Sequence, residues 1–236
     1  MGFTIHPLGD TALIIEFSIS INNVANDYVH SAYHLLSSIN LPGIIALVPA
    51  YTTLTIHYDP TSYHQDFPYE HLKAQIQEIL SKRLETSTTI GNCFFIPVCY
   101  EPPFSLDLVE VANIHHMSIE EVIHLHTQEI YQVSFLGFSP GFPFLRGLHK
   151  RIATPRKENP RTLVKAGSVG IAGEQTGIYP TDSPGGWQII GQTPLSIYLP
   201  KKENPTLFAP GDLIRFYPIT ATQFYYLEEN HEYNRT

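Results

Sequence analysis

Gly167-Ser168-Val169-Gly170-Ile171-Ala172-Gly173-Glu174-Gln175-Thr176-Gly177 places four glycines among β-prone Val169 and Ile171. A residue without Cβ is required where the main chain takes positive φ or where a ligand or another backbone approaches closely, and β-branched neighbours favour extended chain. The strip therefore reads as strand and not as a nucleotide loop. The chain has no G-x-x-x-x-G-K-[ST] and no G-x-G-x-x-G after a strand. Working outward, short β-rich runs punctuated by glycine and proline fall at Cys93 to Cys99, Ile130 to Leu136, Thr162 to Lys165, Ser168 to Ala172, Trp187 to Ile190, Leu195 to Leu199 and Leu213 to Tyr217. That spacing predicts a closed or nearly closed β-barrel, which removes exposed edges. Two short helices interrupt it, at 105–113 and 118–129, the second opened by a Ser118/Glu121 capping box.

The first ninety residues change period. Phe3 to His6 with Ala12 to Phe17, and Ile44 to Ala50 with Thr53 to Tyr58, read as two hairpins. Between them Ala25, Tyr28, Val29, Ala32, Leu35, Leu36 and Ile39 recur at helical steps, with Asn22 or Asn23 as N-cap and Pro42-Gly43 as the stop. A second helix, Pro68 to Leu84, buries Leu72, Ile76, Ile79 and Leu80. The order β-β-α-β-β-α predicts an α+β N-terminal domain over residues 1–88. The polar run Glu85 to Thr89 reads as a linker, and residues 89–236 form the mainly-β domain. The polar tail from Glu228 to Thr236 is expected to fray.

Hydrophobic residues make up 43% of the 236 and charged residues 15%, which describes a globular chain and excludes a disordered or fibrous one. A net charge of −8 argues against bulk binding to nucleic acid or anionic membrane. No apolar run reaches the length needed to span a bilayer and the start has no basic n-region, so the expected compartment is the cytoplasm. The cysteines, Cys93 and Cys99, lie about 20 Å apart along one strand, too far to pair. They read as small buried hydrophobes. No metal-ligand spacing appears among the histidines, and no metal site is expected.

Against the acidic whole, residues 146–165 concentrate Arg146, Lys150, Arg151, Arg156, Lys157, Arg161 and Lys165, half of all the basic side chains, around a lone Glu158. A positive patch on a negative protein faces an anion. Arg156 and Arg161 each follow a proline, which limits where a forked donor points. Ser168 is a candidate nucleophile outside any G-x-S-x-G elbow, or a hydroxyl that bonds a substrate carboxylate or amide. Trp187, after Ser183-Pro184-Gly185-Gly186, either walls a pocket or anchors the core. Phe135, Phe138, Phe142 and Phe144, interleaved with glycine and proline, suggest a hydrophobic groove for a ligand or partner.

The runs Leu136-Gly137-Phe138-Ser139-Pro140-Gly141-Phe142-Pro143-Phe144, Pro155-Arg156, Pro160-Arg161, Ala166 to Gly173, Gln175-Thr176-Gly177-Ile178-Tyr179-Pro180 and Ser183 to Trp187 together resemble the family of the bacterial 5-oxoprolinase B-type subunit. That family includes KipI-type inhibitors of a sporulation histidine kinase and the first subdomain of the urea carboxylase carboxyltransferase. The resemblance implies a small α+β domain followed by a cyclophilin-like barrel. It also implies homologous C-type and further A-type partners, which with this chain open 5-oxo-L-proline to L-glutamate at the expense of ATP, bound with Mg by the complex. That chemistry fits the charge pattern: Arg156, Arg161 and Lys165 are expected to stabilise a phosphorylated lactam oxygen, the two arginines to take the substrate carboxylate, and Ser168 completes the candidate catalytic set. The candidate substrate- or partner-binding residues are Phe138, Phe142, Gly170, Gly173, Gln175, Tyr179, Ser183 and Trp187.

Where the family reads Cys-Tyr-Gly-Gly, this chain has Cys99-Tyr100-Glu101-Pro102, followed by Pro103, a stiffer and acidic loop that alters substrate or partner choice if it lines the mouth of the site. Two other functions compete with the role in an enzyme complex: a KipI-like inhibitor gripping the helical domain of a sensor histidine kinase around Phe138 and Phe142, and a carboxyltransferase subdomain working with biotin carboxylase supplied in trans.

Overall fold

In the computed structural model, which describes residues 2–63, 67–84 and 91–230, the chain separates into two units, Met1–Thr89 and Ile90–Thr236. The linker expected at Glu85 to Thr89 and the tail beyond Asn230 lie outside the described residues.

The first unit runs β1 (Thr4–Pro7), β2 (Ala12–Glu16), α1 (Asn23–Ile39), β3 (Ile44–Pro49), β4 (Thr53–Tyr58) and α2 (Pro68–Arg83). Its strands form one antiparallel sheet in the order β1-β2-β4-β3. Helix α1 begins where the Asn22 side chain accepts the Ala25 N–H at 2.7 Å, and it ends at Asn40 in the left-handed region. Alternation along β2 and β4 turns Leu13, Ile15, Leu54, Ile56 and Tyr58 to one face, where Ala25, Val29, Ala32 and Leu36 of α1 and Leu72, Ile76 and Leu80 of α2 cover them.

The second unit contains β5 (Cys93–Cys99), α3 (Leu108–Ile114), α4 (Ile119–Thr127), β6 (Tyr131–Leu136), β7 (Pro143–Arg146), β8 (Arg161–Val164), β9 (Ser168–Ala172), β10 (Gln175–Ile178), β11 (Ser183–Gly185), β12 (Gln188–Gln192), β13 (Leu213–Ile219) and α5 (Ala221–Glu229). Seven strands close a barrel in the order β10-β7-β6-β13-β5-β12-β9, and the β9–β10 hairpin completes the ring. Strands β5 and β13 run parallel, whereas β8 and β11 pair apart from the barrel as a two-stranded ribbon.

Some expectations are corrected. Leu195 to Leu199 is not a strand. Ile197 turns into the core, and the segment keeps only an isolated bridge from Tyr198 to Thr206. Strands β7, β10 and β11 are too short to announce themselves, and α5 follows a Thr220/Gln223 capping box that the polar tail disguises, so Glu228 and Glu229 end a helix. Cys99 is buried but Cys93, at the start of β5, is exposed. The Glu101-Pro102-Pro103 loop packs on α5, where Glu101 accepts the Ala221 N–H at 3.2 Å and Phe104 lies 4.2 Å from Phe224.

A polar chain crosses the barrel core. Thr176 donates to the Gly170 carbonyl at 3.0 Å, so it accepts from His126 Nε2 at 3.1 Å, and His126 Nδ1 in turn accepts the Tyr100 hydroxyl at 2.8 Å. The His126 ring stacks on Phe216 with centroids 4.7 Å apart. Burial pushes its pKa down to about 3. A histidine neutral in the fold and protonated when unfolded costs stability as pH falls below the ordinary value near 6.5. Between pH 7.5 and pH 5.5 the barrel is expected to lose about 1.4 kcal/mol through this group alone. Trp187, the only tryptophan, lies in this unit, so its fluorescence reports the barrel's denaturation midpoint. His126→Gln should flatten the pH slope, and an unchanged slope would refute the assignment.

Candidate functional site

The turn between β6 and β7 is built by Gly137-Phe138-Ser139-Pro140-Gly141. The Phe142 N–H bonds the Ser139 carbonyl at 3.0 Å and the Gly137 N–H bonds the Phe142 carbonyl at 3.1 Å. Phe138 sits at φ 64, a conformation that side chains rarely adopt, and remains 67% exposed, whereas Phe142 is 1% exposed. Phe142 meets Tyr179 and Trp187 edge-to-face, each with centroids 5.2 Å away, and Phe138 caps Phe142 at 5.6 Å. These rings, with Phe144, Pro160, Gly185, Gly186, Arg156 and Lys157, enclose a cavity of about 140 Å³.

Two glycines make this packing possible. A Cβ at Gly170 would lie 3.0 Å from Trp187 Cβ, and one at Gly185 would overlap the Tyr179 hydroxyl. Burial raises the pKa of Tyr179 against the lowering by the nearby Trp187 main-chain N–H and by Arg156 and Arg161, so the phenol stays protonated.

The loop that carries Arg156 is held by a buried carboxylate. Asp107, 2% exposed at the entrance to α3, accepts Arg161 Nη1 at 2.8 Å and Nη2 at 2.6 Å, Lys157 Nζ at 3.1 Å and the Ile189 N–H at 2.7 Å. Its own N–H returns to the Ile189 carbonyl at 2.7 Å. Burial raises its pKa, but the bonds from Arg161, Ile189 and Lys157 outweigh that and hold the carboxyl below its ordinary range. Lys157 also bonds Glu110 at 2.7 Å, and its N–H bonds the Gly186 carbonyl at 2.7 Å, tying the loop to the cavity wall.

Of the residues singled out in the sequence, Phe138, Phe142, Phe144, Arg156, Lys157, Tyr179 and Trp187 line this cavity, and Gly170 lies under Trp187. The remaining catalytic and binding candidates do not line it. Arg161 is a correction: it commits one N–H from each terminal nitrogen to Asp107, so its end-on fork orients the loop and does not face the cavity. Lys165 is another, since it is exposed and paired with Asp182 at 2.8 Å. Ser168 is buried in β9 and Gln175 pairs with Ala172 across the β9–β10 hairpin, whose turn holds Gly173 at φ 59. Ser183 starts β11. Nor does Glu101, Pro102 or Pro103 line the cavity, which removes that loop from its mouth.

Asp107, Lys157 and Gly185 carry more than the sequence reading gave them. Lys157 was visible only as one cation among seven, and no spacing joins it to an acid 50 residues earlier. Among the described residues there is no cluster of three potential metal ligands, and no helix is long and apolar enough to cross a membrane.

Residues 3–208 match the family described as carboxyltransferase domain, subdomain C and D. The chain belongs to this family. It is 44% identical over 235 residues to the 5-oxoprolinase B subunit of Bacillus subtilis (strain 168), covering 97% of this chain and 98% of that protein. It is 37% identical over 212 residues to the 5-oxoprolinase B subunit of Escherichia coli O157:H7, covering 89% and 94%. Among solved structures, the crystal structure of TTHA0988 superposes with a TM-score of 0.77 at 35% identity, over 89% of this chain and 40% of that one. The chain thus spans about two fifths of that longer protein.

Within this member of the family, Asp107→Asn removes one member of a buried ion cluster and leaves Arg161 without its counter-charge. Breaking such a pair costs about 3 kcal/mol. The Trp187-monitored denaturation midpoint should fall accordingly, and a midpoint matching the unaltered chain would show that Asp107 does not organise this wall.

Proposed function

We propose that this chain is the B subunit of a 5-oxoprolinase and that its aromatic cavity receives the lactam ring. The observation that carries the reading is the pairing of a small aromatic enclosure with a guanidinium that makes no ion pair among the described residues, Arg156, at its wall. A five-membered ring packs against the aromatic wall that Phe138, Tyr179 and Trp187 line, and the substrate carboxylate takes Arg156 as a bidentate partner. The identity with the B subunit of a bacterial 5-oxoprolinase over nearly the whole chain supports the same assignment. In this reading the barrel is cyclophilin-like, and the chain works in the cytoplasm with C-type and A-type partners.

An amide in a five-membered ring is a poor electrophile, so opening it to L-glutamate draws on ATP hydrolysis. At about 140 Å³ the cavity suits a small ring. In this reading ATP and its Mg bind elsewhere in the complex, and the cavity's share is to bind and orient the lactam. The cation-rich segment divides accordingly: Arg156 faces substrate, while Arg161 and Lys157 hold its loop through Asp107. The competing function, capture of a kinase helical domain through Phe138 and Phe142, keeps only Phe138 as an exposed contact, because Phe142 is buried.

The test is reconstitution with the partner subunits. Arg156→Ala should raise the KM for 5-oxo-L-proline in ATP hydrolysis by about tenfold or more, the loss expected for one charge-assisted contact. Full 5-oxoproline-dependent turnover in the absence of this chain would sink the proposal, and inhibition of histidine-kinase autophosphorylation by the purified chain would favour the competitor.

A further inference from the structure

The cavity wall contains one hydroxyl whose hydrogen is not committed. Tyr179 is buried, and its hydroxyl makes no hydrogen bond to an acceptor among the described residues. A hydroxyl carries one donor position, so that hydrogen is available to a ligand. Gly185 lines the cavity at this point, and a Cβ there would overlap the hydroxyl, so the glycine leaves the oxygen its room. Every other ring in the enclosure, Phe138, Phe142 and Phe144, is purely apolar, and the Trp187 side chain supplies only an indole N–H. Lys157 is already divided between Asp107 and Glu110. The cavity therefore presents two neutral donors, the Tyr179 O–H and the Trp187 indole N–H, and one cation, the Arg156 guanidinium.

We propose that Tyr179 donates its hydroxyl hydrogen to the ring carbonyl oxygen of the bound ligand while Arg156 holds the ligand's carboxylate, so that the site selects small cyclic amides bearing an acid. This rests on the lactam reading above. A site that commits a buried donor to a substrate acceptor rejects an analogue lacking that acceptor far more strongly than an apolar pocket rejects a missing methylene. The carbonyl oxygen accepts the Tyr179 bond through one lone pair and keeps the second for chemistry. Tyr179 is thereby a specificity-determining residue, and Gly185 its positioning residue.

Calorimetric titration of the full chain, alone and in complex with its partner subunits, separates the roles of Tyr179 and Arg156. The probes are 5-oxo-L-proline, cyclopentanecarboxylate, which has ring and acid but no ring carbonyl, and 2-pyrrolidinone, which has the lactam but no acid. Tyr179→Phe should weaken 5-oxo-L-proline and 2-pyrrolidinone by about tenfold and leave cyclopentanecarboxylate unchanged. Arg156→Ala should weaken the two acids and spare 2-pyrrolidinone. Gly185→Ala, which pushes the hydroxyl aside, should reproduce the Tyr179→Phe pattern. If Tyr179→Phe binds 5-oxo-L-proline as tightly as the unaltered chain, the inference fails while the lactam reading stands. If the unaltered chain binds no 5-oxo-L-proline in either state, the lactam reading fails and takes the inference with it.

Discussion

A single buried carboxylate organises the wall of the candidate site. Asp107 is enclosed at the start of α3, where an unpaired charge would be costly, and it is stable there because Arg161, Lys157 and the Ile189 N–H fill its lone pairs. Those partners come from β8 with the loop preceding it and from β12, so one side chain at the start of α3 sets the placement of two segments distant from it in the chain. The consequence reaches the cavity through the backbone. With Lys157 held at both its ammonium and its N–H, the adjacent Arg156 is carried at the wall with its own fork uncommitted.

That arrangement explains the charge pattern. A dense cluster of cations on an acidic chain suggests an anion-binding surface, yet much of its charge is answered internally: Arg161 and Lys157 by Asp107, Lys157 again by Glu110, and Lys165 by Asp182. Arg156 is the member that lines the cavity without an ion-pair partner among the described residues. Exposed pairs such as Lys165 with Asp182 contribute little stability, whereas the Asp107 cluster is enclosed and its removal is expensive. The distinction between a structural and a ligand-facing cation is one of burial and partner, not of residue type.

The aromatic enclosure depends on a second constraint, close approach. Edge-to-face packing of Phe142 with Tyr179 and Trp187 needs rings within about 7 Å, and the segments carrying them reach that separation because Gly170 and Gly185 present no Cβ to Trp187 and Tyr179. The glycines flagged in the sequence thus divide by role. Gly170 and Gly185 admit aromatic side chains, while Gly173 serves a hairpin turn at φ 59. Glycine density alone does not tell these apart, since the same absence of Cβ serves both.

What could be read from order alone was whatever is written in local periodicity and end chemistry. The steps of Ala25, Val29, Ala32 and Leu36, the Asn22 cap, the Ser118/Glu121 capping box and the alternation of β4 depend on neighbours within four residues, so the helices and the longer strands were legible. The cavity residues Phe138, Phe142, Arg156, Tyr179 and Trp187 were legible as types in an unusual segment. Short strands such as β7 and β11 were not, because three or four residues carry too little pattern. Nor was the displacement of Leu195 to Leu199 from the sheet, which depends on Ile197 filling the core. The division of labour between Arg156 and Arg161 was decided only in three dimensions. Both follow proline and look equivalent in the chain, but the carboxylate that claims Arg161 lies 54 residues away, and an ion pair is a matter of distance in space that the linear order does not encode.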